Sequence, residues 1–315
     1  MNYRITKYLL ITIALFLCLP VLKAQTLYND EVNVGLGLGS SSLKYQTDQG
    51  ASKSGFGWNF GAAYSHYFTK MIGVSLGLEA EMFGSSVDIS TMSFNQQIPT
   101  PPGLSGNFSL AAKYEGFKET QSAIMFQIPV MLRLRFPVNE KSSLFLGTGI
   151  KAGFPVSSKW NQSITSLTTK GYSDFTMQYY EAMPNHGFST YPNVSSSGKL
   201  TLSSPVLFTI EGGMKFNVAK AMDLYAGLFL DYGLNNVYKA PATNSAMLAY
   251  NSDSPADYNY NSILTSNHYS ASGGIKPFAF GVTVKLGFGF GKAHEYVKKK
   301  NNTREQKTEP AGGWK

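Results

Sequence analysis

Apolar and polar residues alternate one by one along much of the chain, most cleanly near its C-terminal end. Across residues 277–290, Phe278, Phe280, Val282, Val284, Leu286, Phe288 and Phe290 are bulky, while Ala279, Gly281, Thr283, Lys285, Gly287 and Gly289 between them are small or polar. A period of two is a β-strand with its large side chains on one face. The same pattern predicts seven earlier strands, at residues 31–44, 55–68, 72–83, 121–136, 143–154, 205–216 and 223–234. Pro129 falls inside the fourth, where a proline predicts a bulge or an edge.

The connections alternate as well. After the first, third, fifth and seventh strands they are polar and mostly long, at residues 46–54, 85–119, 155–203 and 235–276. The second of these carries Pro99-Thr100-Pro101-Pro102-Gly103 and reads as loop. After the second, fourth and sixth strands the connections are tight. Long extracellular loops and short periplasmic turns mark an outer-membrane barrel. The expected fold is all-β, a closed eight-stranded antiparallel transmembrane β-barrel.

Which face looks outward follows from size. The interior of an eight-stranded barrel admits only side chains or one small ligand. Phe56, Trp58, Phe60, Phe126, Phe208, Phe278, Phe280 and Phe288 would crowd such a bore and leave a largely glycine exterior. With the bulky face toward lipid, glycines fill the narrow inside. The small face also carries Glu79, Glu81, Arg133, Arg135, Lys151, Glu211, Lys215, Asp231 and Lys285, five cations against four anions. Near balance permits the pairing that buried charges require. On the bulky face, Tyr64, Phe68, Phe136, Phe216, Phe288 and Phe290 fall near the periplasmic rim, and Phe56, Trp58, Phe154, Tyr232 and Phe278 near the outer rim. They are expected to form the two aromatic girdles of a barrel.

Composition changes this picture little. Charged residues are 15% of the chain and aromatics 14%, unlike a disordered sequence. The net charge of +8 is mostly terminal: residues 1–25 hold three cations and no acid, and residues 292–315 hold seven cations against three acids. That leaves +1 for the rest, too little for a nucleic-acid surface. The basic start, the apolar run at residues 8–22 and Lys23-Ala24-Gln25 read as a secretory signal peptide over residues 1–25. The barrel then occupies residues 26–291, and residues 292–315 form a basic periplasmic tail. The only cysteine, Cys18, lies in the leader, so the mature chain has no disulfide.

The leader ending in Lys23-Ala24-Gln25, the run Tyr67-Phe68-Thr69-Lys70 followed by Gly73-Val74-Ser75-Leu76-Gly77-Leu78-Glu79, and Ile128-Pro129-Val130-Met131-Leu132-Arg133 resemble the outer-membrane β-barrel family of Bacteroidota-type bacteria. In architecture the chain is similar to OmpA/OmpX-like and PorT-like barrels. The resemblance implies an outer-membrane location and a closing aromatic strand of the kind read by the barrel-assembly machinery. The tail is too short for the peptidoglycan-binding domain that an OmpA-type protein would carry.

No catalytic, cofactor or metal site is expected. His66, His186, His268 and His294 are scattered, with no strand-borne Ser–His–carboxylate set and no metal spacing. Gly35-Leu36-Gly37-Leu38-Gly39 lies within a strand, so it is no phosphate loop. A structural or surface-recognition role with a plugged polar lumen is the leading expectation. An accessory part in an outer-membrane secretion or assembly system is second, as the PorT-like resemblance implies, and a lipid-modifying enzyme third. The expected partners are outer-membrane lipid, the assembly machinery, an extracellular ligand at the Tyr-rich loops and a periplasmic partner for the tail. Simple solvation is the alternative for both loops and tail.

Overall fold

The computed structural model describes residues 26–47, 50–139, 141–239, 246–266 and 274–295. The predicted leader, the tail beyond residue 295 and His268 lie outside them. Eight long strands form a closed antiparallel ring: β1 (Thr26–Lys44), β2 (Lys53–Tyr67), β3 (Ile72–Ile98), β4 (Phe108–Pro137), β5 (Ser142–Ser173), β6 (Val206–Ala219), β7 (Met222–Gly233) and β8 (Lys276–Glu295). Neighbours in sequence pair with each other, β5 continues to β6, and β8 closes on β1 from Thr26↔Glu295 to Lys44↔Lys276. Closure removes the sheet edges within the membrane, where an unpaired backbone group would be costly.

The sequence explains the seam. Gly39 of β1 faces Gly281 of β8, and a Cβ on Gly39 would stand 2.1 Å from the Phe280 carbonyl oxygen. The short turns carry their own chemistry. Thr69 Oγ1 accepts from the amides of Met71 and Ile72 at 3.2 and 3.0 Å, and Asn139 Oδ1 accepts from those of Lys141 and Ser142 at 2.8 Å each.

Around the middle of the barrel the bulky phase points outward. Leu76, Val130, Leu228 and Val282 are all more than half exposed, as lipid-facing side chains should be. The small phase is buried. Pro129 makes no bulge, contrary to expectation. Residues Ile128 to Val130 run in register with β5, while the ladder to β3 skips Gly77 and Leu78 opposite. The missing N–H is accommodated by that gap.

Two of the predicted loops are largely strand. Residues 85–98 and 108–119 extend the β3–β4 hairpin to Ile98↔Phe108, and β5 runs on to Ser173 alongside β4. The short strand Thr190–Lys199 pairs back onto β5, so four strands rise above the membrane as an extracellular platform. Its apolar core, with Phe108, Tyr114, Phe117, Ile164, Leu167 and Phe188 buried together with Leu248, Ile263 and Leu264 of the last connection, runs on into the barrel mouth at Leu43, Phe83 and Phe229.

The buried face changes phase within the platform, and does so on one rung. Ile89, Phe117 and Ile164 are buried, the next two residues upward on each strand are not, and Met92, Tyr114 and Leu167 are buried again. Pairing stays in register across this rung. Gly116 at its centre has φ +63°, and a Cβ there would lie 2.3 Å from Thr165 Oγ1. Gly116→Val is expected to cost about 1–3 kcal/mol of local stability. Limited proteolysis should show the platform cut while the barrel stays resistant to boiling-dependent unfolding on gels.

Candidate functional site

The small phase of β1 to β8 brings the predicted charges together in the bore, in three clusters. At the periplasmic end, Lys215 Nζ lies 3.1 Å from Glu31 and 2.7 Å from Asp223. The Tyr225 hydroxyl donates to Glu31 at 2.6 and 2.7 Å. Arg135 donates to the carbonyls of Tyr28 and Lys70 at 2.8 and 2.9 Å, and its guanidinium sits 3.6 Å over the Tyr67 ring. In the middle, Arg133 pairs with Glu211 and donates to Ser75 Oγ at 3.0 Å, while Lys285 reaches the other Glu211 oxygen at 2.5 Å. Toward the mouth, Lys151 is held by Glu79 at 2.6 Å, Asp231 at 2.9 Å and Glu81 at 3.9 Å, and Gln127 donates to Glu81 at 2.9 Å.

The carboxylate oxygens of Glu79, Glu81 and Asp231 lie within 4.8 Å of one another, a spacing that could hold a cation. The Lys151 ammonium fills that role. Between the middle and upper clusters is a cavity of about 40 Å³, lined by Asn33, Asn59, Thr209 and Thr283 among others, with room for little more than water.

Sequence reasoning passed over Glu31, Asp223, Tyr67 and Tyr225. Their phase carried the signal, because all four fall on the small-residue face of their strands. With Glu31 and Asp223 included, six carboxylates face five cations among the described bore residues.

The predicted girdle residues lie on the lipid face. At the outer rim Phe56, Phe154 and Tyr232 are exposed and Trp58 and Phe278 half-buried. At the periplasmic rim Tyr64, Phe68, Phe136, Phe288 and Phe290 are exposed and Phe216 half-buried. Tyr64 approaches Phe290 with ring centroids 6.2 Å apart. Tyr64 also donates to Asp30 at 2.6 Å, and His66 Nδ1 lies 2.7 Å from the same carboxylate oxygen. His186 is in the platform, and its carbonyl accepts from the Tyr250 hydroxyl at 3.2 Å.

The bore is covered from outside. Residues 246–266 fold over the mouth and are fastened at Glu119, which is fully buried in β4. One Glu119 oxygen accepts from Gln121 Nε2 at 2.8 Å and Ser262 Oγ at 2.5 Å. The other accepts from Gln162 Nε2 at 2.7 Å and the Ile263 amide at 2.9 Å. Among the described residues no cation pairs with it. Burial pushes the Glu119 carboxyl above the ordinary glutamate range, against the pull of those hydrogen bonds.

A closed antiparallel cylinder with an oily belt, a charged bore and tall extracellular hairpins defines an outer-membrane β-barrel. The family described as outer membrane protein beta-barrel domain matches residues 12–227, and the chain belongs to that family. Among solved structures it is similar to Neisserial surface protein A, at 9% identity over 83% of this chain and 97% of that one, with a TM-score of 0.34. It is also similar to OprG from Pseudomonas aeruginosa, at 10% identity over 85% and 100%, with a TM-score of 0.34. A third is Ail, the attachment invasion locus protein of Yersinia pestis, at 12% identity over 82% and 99%, with a TM-score of 0.29. No curated protein matches the chain by sequence.

Proposed function

We propose that this outer-membrane barrel acts as a closed anchor for a surface-recognition platform, and is neither a channel nor an enzyme. The observation that carries the reading is the double closure of the bore. Three ion-pair clusters fill it, and residues 246–266 cover its mouth. A bore of eight strands leaves little space once Arg133, Lys151 and Lys285 extend into it. The platform is ordered by an apolar core continuous with the barrel mouth, which a merely solvated loop would not need. Its summit presents Phe175 and Met177, which are 75% and 78% exposed, as contact residues.

The finer resemblance to Bacteroidota-type and PorT-like barrels belongs to the same reading. β8 ends on the periplasmic side, so the basic tail is offered to a periplasmic partner or to anionic headgroups there. The signal peptide is cut near residue 25 before insertion.

Planar-bilayer recording tests the closed bore. The purified chain is expected to give no stable openings, and large ohmic steps would contradict the reading. Shortening residues 87–117 and 157–201 to tight turns should leave insertion intact and abolish attachment of displaying cells to the surfaces they otherwise bind. Unchanged attachment would contradict the platform's role.

A further inference from the structure

Lysines stand in opposed pairs at the outer rim of the barrel. Lys44 of β1 lies directly opposite Lys276 of β8, and Lys159 of β5 lies directly opposite Lys199 of the strand Thr190–Lys199. Opposed residues of a ladder share one face of the sheet, and like charges so placed destabilise it. Both pairs point away from the bore. Lys44 Nζ lies 3.5 Å over the ring of Phe278, a girdle residue on the lipid face. Beside the other pair, Trp160 and Gly198 turn inward together, and a Cβ on Gly198 would stand 2.7 Å from the Trp160 ring. Lys159 and Lys199, one residue along each strand, therefore turn outward. Lys44, Lys159 and Lys199 are exposed and Lys276 is half-buried.

Elsewhere on the extracellular side, cations bring their own acids. Lys53 holds Asp88 at 2.8 Å, Lys113 holds Glu115 at 2.6 Å and Lys170 holds Glu181 at 2.5 Å. Among the described residues no carboxylate lies within ion-pair distance of Lys44, Lys159, Lys199 or Lys276. The strands around the second pair are uncharged too. Ser122 of β4 faces Lys159 from its other side, and the next outward-facing rung holds Thr120, Asn161 and Ser197. The two pairs are four strands apart in a ring of eight, on opposite sides of the barrel. Each concentrates two positive charges that the chain itself leaves without a counter-charge.

Height identifies the anion. Lys276 stands two residues above the girdle residue Phe278, about 7 Å of strand, and Lys159 stands five above Phe154, about 17 Å. Below them Phe280, Phe154 and Val156 are exposed to acyl chains. The pairs thus lie where the headgroups of the outer leaflet begin. We propose that each pair clamps a phosphate group of an anionic glycolipid in that leaflet, with the acyl chains against the apolar residues below. Two ammonium groups on one phosphate make charge-assisted hydrogen bonds, and the dianion between them cancels their repulsion. At the second pair, Ser122, Thr120 and Asn161 offer hydroxyl and amide partners for sugar. The bound lipid fixes the height of the barrel in the leaflet, whatever the platform above it contacts.

Native mass spectrometry of the full chain in a neutral maltoside detergent counts the bound lipid. The parent is expected to retain two molecules of diphosphoryl lipid A, one per pair, and none of the dephosphorylated form. Lys44→Met with Lys276→Met should lower the count by one, as should Lys159→Met with Lys199→Met, while arginine at all four positions should keep both. Methionine preserves most of the apolar stem, so folding is spared. Inorganic phosphate in large excess should leave the count unchanged, because it lacks the acyl chains. Heat stability gives a second readout with a change of sign. Without lipid A the methionine variants should melt no lower than the parent, since a repulsion is gone; with lipid A they should melt below it. Equal retention of dephosphorylated lipid A, methionine variants that still hold two molecules, or an order of stability that lipid A leaves unchanged would each overturn the proposal. Displacement by inorganic phosphate would overturn the assignment to a membrane lipid.

Discussion

Lys151→Met is expected to destabilise the barrel by about 3–5 kcal/mol, the range for removing one partner from a buried ion pair. The effect belongs at the top of that range, because one ammonium serves three carboxylates. Lys151 lies against Glu79 and Asp231 at 2.6 and 2.9 Å, with Glu81 at 3.9 Å, and Asp231 is fully buried. Without the lysine, three buried carboxylates share one space with no ammonium between them. Adding Glu79→Gln, Glu81→Gln and Asp231→Asn to the variant should recover much of the loss, since neutral polar groups are far cheaper to bury than unpaired charges. Urea unfolding in detergent micelles measures both. A single variant as stable as the parent would mean that Lys151 does not hold these carboxylates together.

The second large effect is expected at Glu119→Ala. That change strands four donors at once: Ser262 Oγ, the Ile263 amide, Gln121 Nε2 and Gln162 Nε2. Each buried donor left unmade costs about 1–3 kcal/mol, softened where a side chain can turn to solvent. Residues 246–266 should come away from the mouth while the ring of strands holds. Faster hydrogen exchange confined to that segment and its contacts on β4 and β5 would report it. The same carboxylate carries a pH dependence. Its folded value is raised by burial, so its contribution is fully present below the ordinary glutamate range, near pH 4, and weakens as pH rises through the raised value. Protease cutting of residues 246–266 is therefore expected to increase with pH across that window in the parent. In the alanine variant the dependence should disappear.

How much of this the chain reveals before folding depends on the solvent each segment meets. Inside the bilayer the outward face must be apolar, so residues 277–290 announce their strand and its orientation together. Above the bilayer the outward face is polar, and only the buried face keeps a pattern. Val87, Ile89, Phe117 and Ile164 still alternate, but the phase change at Gly116 breaks the rhythm midway. That is why residues 85–119 and 155–203 read as loop, although strand pairing runs through most of both. The bore was legible residue by residue, through phase alone, and Glu31 and Asp223 were within reach of the same rule. Their partners were not, because which charges meet across a barrel is set by strand stagger rather than by local sequence. Lys215 finds Glu31 from 184 positions away. Pro129 misled for a related reason: a bulge is one remedy for a missing donor, and a gap in the neighbouring ladder is another.

A closed anchor requires a bore that is shut while the bulky phase meets lipid. Cys18 is the only cysteine of the chain, so with Cys18→Ser as background single thiols report cleanly. Thr283→Cys and Val284→Cys place them one residue apart, on the bore side and the lipid side of β8. Labelled with an environment-sensitive fluorophore, the Val284 variant is expected to be quenched by brominated lipid. In the folded barrel the Thr283 variant should resist a membrane-impermeant maleimide added from either side, and react only after unfolding. Rapid labelling at Thr283 in the folded protein, or lipid quenching absent at Val284, would contradict the account.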